Sequence, residues 1–162
     1  MIKNAVFIAL IVLPFLACNQ ERKCAYKPTA IFQAGLPHVV QYNFEVEGEQ
    51  SLESLLLDTN VLLEIYQQVC DKTLQEYKFT VQGDYSQMAD SMWLKEASRQ
   101  LVFLSTLSSK HLALKDWADI IELRRTDMKL GEKREVQQGI FVKVDRILSP
   151  EQSALLVTFS QE

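Results

Sequence analysis

Residues 40–72 read VQYNFEVEGEQSLESLLLDTNVLLEIYQQVCDK, and this stretch combines the two periodicities on which the expected fold depends. Every second residue from Val40 to Val46 is apolar, which predicts a half-buried strand. From Leu52 the apolar residues recur at intervals of three and four up to about residue 72. This spacing predicts an amphipathic helix with Ser51 as its N-cap. The stretch therefore indicates a β–α unit.

A second stretch of the chain has the same order of residue types. Residues 77–86, YKFTVQGDYS, share Tyr, Phe, Val, Gly and Ser with residues 42–51, YNFEVEGEQS, at an offset of 35 residues. Two copies of a β–α unit would explain the match, and so would two unrelated aromatic-rich strands that each precede a helix. A helical stripe of Leu94, Ala97, Leu101 and Leu104 follows.

The last third of the chain predicts one more helix and two more strands. The helix is expected over residues 114–130, with Gly131 as its end, and the charged residues 132–135 are expected to form a solvated surface. Alternation over residues 140–145 predicts a strand. Ser149 and Pro150 then favour a tight turn that leads into a closing strand, although Pro at the first helical position would also suit a helix start.

These elements define the expected fold class. It is α+β, in the order β–α–β–α–α–β–β, with a mixed four-stranded sheet packed against helices. The first two strands are expected to be parallel and joined by a right-handed crossover.

Composition and charge limit the function classes. The 162 residues are 48% hydrophobic and 23% charged with 5 Gly and 4 Pro, which is globular composition and excludes collagen-like or disordered chains. The net charge is −4. Strong nucleic-acid binding requires clustered Lys and Arg that neutralise phosphates, so this acidic balance predicts no nucleic-acid partner.

The first 18 residues, MIKNAVFIALIVLPFLAC, have the pattern of an export signal. Lys3 precedes an apolar run from Ala5 to Ala17. A helix of this length spans about 20 Å, which is shorter than the roughly 30 Å hydrocarbon core of a bilayer. A removable signal is therefore favoured over a transmembrane helix.

The junction Ala17-Cys18 resembles the lipobox of bacterial membrane lipoproteins, although Phe15 and Leu16 stand where that family has Leu and a small residue. The resemblance implies that residues 1–17 are a signal peptide, that cleavage precedes Cys18, and that acyl chains on Cys18 anchor the protein in a membrane. In some bacterial lipoproteins, Asp directly after the lipidated Cys is a signal for retention in the inner membrane. Asn19 stands at this position here, which favours the outer membrane and a periplasm-facing or surface-exposed location. An ordinary secreted protein and an uncut anchor are the alternatives.

The two remaining cysteines, Cys24 and Cys70, are an even pair in an oxidising compartment, which predicts a disulfide. Two free thiols, with Cys70 packed as a small apolar residue, are the alternative. Residues 18–38 contain Pro and Gly with little periodicity and are expected to form the lipidated N-terminus and an irregular tether. Residues 39–162 are then one α+β domain.

Motifs that carry chemistry are absent from the sequence. It has no HExxH, GxSxG, P-loop or GxGxxG pattern, and His38 and His111 are far apart, so no catalytic residue, metal or cofactor is expected. Glu45, Glu47 and Glu49 alternate along the first strand, which predicts an exposed anionic strip that could serve as an interaction surface.

These observations favour a lipid-anchored envelope protein that acts as an accessory or interaction module for a membrane-proximal protein partner. The alternative is an acidic inhibitor or immunity lipoprotein that blocks a basic periplasmic enzyme through charge complementarity. A third hypothesis is a hydrolase whose active site is not revealed by any sequence motif. Such an enzyme would require a pocket with convergent polar groups.

Overall fold

The computed structural model describes residues 26–70 and 73–161. Within these residues the chain forms one sheet, two α-helices and a short 3-10 turn. In chain order the elements are β1 (Val39–Glu47), β2 (Gln50–Leu57), β3 (Leu62–Gln68), β4 (Thr73–Gln82), α1 (Asp90–Thr106), the 3-10 turn (Ser109–His111), α2 (Ala113–Arg124), β5 (Lys133–Gln137), β6 (Ile140–Leu148) and β7 (Gln152–Gln161).

The sheet has seven strands in the order β1-β2-β3-β4-β7-β6-β5, and every neighbouring pair is antiparallel. The predicted α+β order β–α–β–α–α–β–β and the predicted mixed four-stranded sheet with a parallel pair are therefore wrong: four strands precede the two helices and three follow them. Two meanders, β1 to β4 and β5 to β7, build the sheet. They meet at the long β4–β7 ladder: the two helices carry the chain from β4 to the far edge of the sheet at β5, and β6 and β7 then return it to β4.

The main correction concerns the helix predicted from Leu52 to about residue 72: its described part, residues 52–70, does not form a helix. They contribute most of β2 and all of β3, joined by a turn in which Asn60 has φ +59. Leu55 and Leu63 are fully buried and face each other across the ladder, whereas Leu56 and Leu62 pair on the opposite face of the sheet. Leucines on both faces of two short strands mimic helical spacing, so the periodicity was ambiguous.

The likeness between residues 42–51 and 77–86 also does not indicate two β–α units. The first stretch forms most of β1, a two-residue turn and the start of β2, so it is a hairpin. The second runs from β4 into the loop before α1. Ser51 is a buried strand residue and not an N-cap, and α1 begins after Ala89 without a side-chain cap. The same residue types therefore form a hairpin in residues 42–51 and the end of a strand in residues 77–86.

The two helices lie close to where periodicity placed them. The predicted stripe of α1 is confirmed, because Leu94, Ala97, Leu101 and Leu104 are all buried. The second helix is shorter than predicted, because α2 ends at Arg124. Met128, which was expected on its inner face, lies after the helix and is still buried. No helix in the described parts of the chain is long and apolar enough to cross a bilayer.

The C-terminal strands confirm one prediction and correct another. The tight turn at Pro150 joins β6 and β7 as a hairpin, in which the N–H of Ser149 donates to the carbonyl of Gln152 at 3.0 Å. Residues 132–135 are exposed as expected, but residues 133–135 belong to β5 and pair with β6. Strand pairing through the backbone does not require apolar side chains, so a charged edge strand gives a weak sequence signal.

The core lies on one face of the sheet. The helices cover this face over β6 and β7, and the irregular segment of residues 26–38, called the lead-in segment below, packs over β1 to β3. The fully buried apolar side chains of this layer are Leu55, Leu63, Ile65, Ala97, Leu101, Leu104, Ile121, Val142, Val144 and Val157. The opposite face of the sheet is not covered by any described element and carries mixed polar and apolar side chains.

Candidate functional site

The predicted lipidation and disulfide residues lie at or beyond the boundary of what the structure describes. Cys18 and Cys24 are outside the described residues. Cys70 lies two residues after the end of β3, has φ +108 and is disulfide-bonded. Its Sγ lies 3.9 Å from the carbonyl oxygen of Tyr26. Its pairing with Cys24 and the acylation of Cys18 remain predictions.

The predicted anionic strip lies on the outermost strand of the sheet. Glu45 and Glu47 are in β1 and share the face that the helices do not cover, whereas Glu49 is in the turn between β1 and β2. All three are exposed, and none forms an ion pair with a described Lys, Arg or His. We call these three residues the acidic edge.

Strand β1 has a partner strand on one side only. It pairs with β2, and no backbone hydrogen bond joins residues 40–47 to any described residue outside the β1–β2 ladder. Such an edge presents a row of backbone donors and acceptors that a further strand can use. At the opposite edge of the sheet, β5 is only five residues long.

The hairpin turn determines which backbone groups of β1 are available. Glu47 and Gln50 pair on either side of a two-residue turn. In an antiparallel hairpin the closing pair exchanges hydrogen bonds, and so does every second pair beyond it. The residues in between, Tyr42, Phe44 and Val46, therefore direct their N–H and C=O groups away from β2.

A buried carboxylate fixes the lead-in segment next to this edge. Glu53 in β2 is completely buried, and its two oxygens accept the backbone N–H groups of Ile31 at 2.8 Å and Phe32 at 2.7 Å. The hydroxyl of Tyr42 donates to the carbonyl of Phe32 at 3.1 Å. The side-chain amide of Gln67 donates to the carbonyl of Thr29 at 2.9 Å. The lead-in segment is therefore part of the fold.

Burial perturbs the ionisation of this cluster. Desolvation raises the pKa of the Glu53 carboxyl above its ordinary value, and this outweighs the opposite effect of the N–H groups of Ile31 and Phe32. Burial and the neighbouring Glu53 carboxylate raise the pKa of Tyr42 to about 12. Groups with shifted pKa values often mark functional sites. Here, however, both oxygens of the Glu53 carboxylate accept hydrogen bonds from the lead-in segment, so Glu53 has a structural role.

The two histidines lie in separate places. His38, with φ +65, contacts Asp58 through Nδ1 at 2.7 Å on the surface. His111 is buried with its ring centroid 4.2 Å from that of Phe32, and desolvation lowers its pKa. No group of three metal-ligating side chains occurs among the described residues.

Sequence reasoning placed the acidic strip on β1 but missed the free edge and the Glu53 cluster. Glu53 lies two residues before Leu55, so a strand reading of residues 50–57 would have placed a carboxylate in phase with buried leucines. Such a buried charge needs partners, and the adjoining Pro- and Gly-containing segment could have supplied backbone N–H groups. The identity of the edge strands depends on the strand order, for which the sequence has no local signal.

Comparison with known proteins adds no further constraint: no family model, curated protein or solved structure matches the chain. Its class is therefore defined by its own architecture, a seven-stranded antiparallel sheet covered on one face by two helices and by an N-terminal lead-in segment.

Proposed function

We propose that this chain is a lipid-anchored bacterial envelope protein that acts as an accessory interaction module and binds a membrane-proximal partner along strand β1. The observation that carries the proposal is the unpaired edge of β1, where Tyr42, Phe44 and Val46 present backbone groups outward. An extended segment of a partner would add to the sheet there, with backbone hydrogen bonds supplying affinity. We propose no catalytic activity.

The charges next to β1 indicate the chemistry of the partner. Glu45, Glu47 and Glu49 are exposed without a described cationic partner, so the edge carries an uncompensated negative charge. A partner strand with Lys or Arg side chains would compensate it, whereas an acidic strand would be repelled. Charge complementarity would thus select the partner, and the backbone ladder would hold it.

The proposed anchor places this edge near the membrane. Eight residue steps separate Cys18 from Tyr26, where the described chain begins, so the tether reaches at most roughly 28 Å. The Glu53 cluster fixes the lead-in segment on the sheet, and β1 starts directly after it. A lipid on Cys18 would keep β1 within reach of partners in the same membrane.

The acidic edge also supports the alternative of an inhibitor or immunity lipoprotein. In that case the partner is a basic periplasmic enzyme, and binding should abolish its activity and weaken steeply with added salt. The two proposals use the same edge and differ in whether the partner is a membrane component or a diffusing enzyme.

The anchor and the edge are tested together in the native host. Photo-crosslinking from Asn43, an exposed residue of β1, should join the lipoprotein to a membrane protein. Val46→Pro should abolish this product, because it removes an outward N–H donor that β2 does not use, and Val46→Thr, which keeps that N–H, should retain it. Cys18→Ser should move the protein out of the membrane pellet and reduce the product.

Crosslinking that survives Val46→Pro would overturn the proposed edge binding, as would the same product obtained from a crosslinker at Leu123 on α2. Unchanged membrane fractionation of the Cys18→Ser variant would overturn the lipid anchor without deciding the role of β1. A crosslinked product that is a soluble basic enzyme would favour the inhibitor alternative.

A further inference from the structure

The two faces of the edge strand β1 carry different side chains. Phe44 pairs with Glu53 of β2, and Val46 pairs with Ser51. Glu53 and Ser51 are buried on the face that the helices and the lead-in segment cover, so Phe44 and Val46 belong to the same face. Phe44 is nevertheless only half-buried, and Val46 is 47% exposed. Accessible apolar side chains therefore lie along the unpaired edge on the covered face.

The residues between them point to the opposite, uncovered face. Asn43, Glu45 and Glu47 are all exposed there, and the side-chain amide of Asn43 donates to a carboxylate oxygen of Glu45 at 2.9 Å. Neither glutamate forms an ion pair with a described cationic side chain. Apolar and acidic side chains thus alternate along β1, one kind on each face.

A strand added to β1 would meet both sets at once. Residues directly opposite each other in an antiparallel ladder share a face, with Cβ atoms about 4.5–5.5 Å apart. The residues opposite Glu45 and Glu47 are favourable if they are basic, and those opposite Phe44 and Val46 if they are apolar. A shift of the added strand by one residue would place every side chain on the wrong face, so the alternation also fixes the register.

The length and direction of the added strand follow from the same edge. The ladder between β1 and β2 has an irregularity between Val39 and Gln41, so the regular part of the edge runs from Tyr42 to Glu47. Antiparallel pairing is slightly more stable per residue than parallel pairing. In an antiparallel partner the residue opposite Glu47 comes first along the chain, and the residue opposite Tyr42 comes last.

We infer that β1 selects an extended segment with the order basic, apolar, basic, apolar, polar, apolar, which pairs antiparallel with residues 42–47. The inference rests on the proposed binding along β1 and adds the chemical pattern of the partner. The backbone groups of Tyr42, Phe44 and Val46 hold the segment, the acidic residues select its basic positions, and the exposed apolar side chains select the positions between them.

The test compares four synthetic peptides on the full lipoprotein in nanodiscs of zwitterionic lipid, with empty nanodiscs as the blank. KVKVNV has the inferred order, KTKTNT replaces its apolar residues with β-branched polar ones, EVEVNV reverses its charges, and VNVKVK reverses its direction. Peptide-detected NMR titrations give the affinities. KVKVNV should bind saturably and about 2- to 30-fold more tightly than each of the others, the combined range for two cross-strand pairs.

Variants of the protein locate the binding. Glu47→Gln should weaken KVKVNV binding by about 1.5- to 5-fold, the range for one cross-strand pair, and should reduce its salt dependence. Glu151→Gln is the matched control, because Glu151 is also exposed but lies in the turn before β7, and it should leave binding unchanged. A folded Val46→Pro variant should not bind KVKVNV, since it lacks an outward N–H donor of the edge.

The possible failures are distinguishable. No saturable binding of KVKVNV, or equal affinities for the four peptides, would overturn the inferred pattern, and tighter binding of VNVKVK would overturn the antiparallel direction. In each case, crosslinking from Asn43 in the native host that Val46→Pro abolishes would still support binding along β1. Crosslinking that survives Val46→Pro would overturn the proposed function itself.

Discussion

Glu53 and Phe32 are joined by a hydrogen bond of 2.7 Å between a strand carboxylate and a backbone N–H of the lead-in segment. The same carboxylate holds Ile31, so one buried side chain fixes the segment that precedes the first strand. The region expected to be an irregular tether is therefore attached to the sheet at Ile31 and Phe32.

Replacing Glu53 tests this attachment. Glu53→Ala should lower the free energy of unfolding by about 2–6 kcal/mol, because two N–H groups lose their acceptor at about 1–3 kcal/mol each. Denaturant unfolding gives the value. Glu64→Ala is the matched control, since Glu64 lies on the uncovered face and pairs with Lys78 at 2.8 Å near the surface. That change should cost at most about 1 kcal/mol, and equal losses for both variants would contradict the account.

The raised pKa of Glu53 predicts a pH dependence of stability with a definite sign. The folded state holds the proton more tightly than the unfolded state, whose pKa is near the ordinary value of 4.5. The contribution of Glu53 is fully present below that value and is lost as the pH rises through the raised folded-state pKa. Unfolding measured from pH 4 upward should show wild-type stability falling relative to Glu53→Gln, which cannot titrate. A difference that is constant with pH or grows in the opposite direction would refute this assignment.

Two adjacent leucines distinguish the observed strands from the predicted helix. Leu55 is completely buried in the core, and Leu56 lies half-buried on the opposite face of the sheet. Leu55→Ala should cost about 2–5 kcal/mol, and Leu56→Ala roughly 1 kcal/mol. Similar losses at both positions would favour a helix that buries both side chains.

This contrast explains how much of the fold the sequence could predict. Alternation over residues 40–46 and 140–145 has one regular spacing and correctly predicted strands there, now seen as β1 and β6. The stripe of α1 and the turn at Pro150 were also predicted correctly. Residues 52–63 carry leucines on both faces of two strands, so the spacing matched a helix as well as a sheet. The turn residues Asp58, Thr59 and Asn60 were the signal against a helix.

The candidate site was only partly accessible to sequence reasoning. The acidic residues of β1 were recognisable as an exposed strip, but their position at a sheet edge follows from long-range pairing, which local patterns do not encode.

The disulfide prediction is checked on the protein from oxidised envelope extract. Non-reducing mass spectrometry should find the peptides of Cys24 and Cys70 linked, and Cys24→Ala should lower the free energy of unfolding by about 4 kcal/mol, the chain-entropy value for a loop of this length. A linkage of Cys70 to any other thiol, or a free Cys24, would contradict the pairing.

The central claim is that β1 receives a further strand in the native membrane. Hydrogen–deuterium exchange of a peptide covering residues 39–47 tests it directly, because the outward N–H groups of Tyr42, Phe44 and Val46 have no acceptor among the described residues. These amides should exchange markedly more slowly in native membranes than in the purified lipoprotein in nanodiscs, while residues 133–137 of β5 exchange alike in both. Equal exchange of residues 39–47 in the two preparations would contradict the claim.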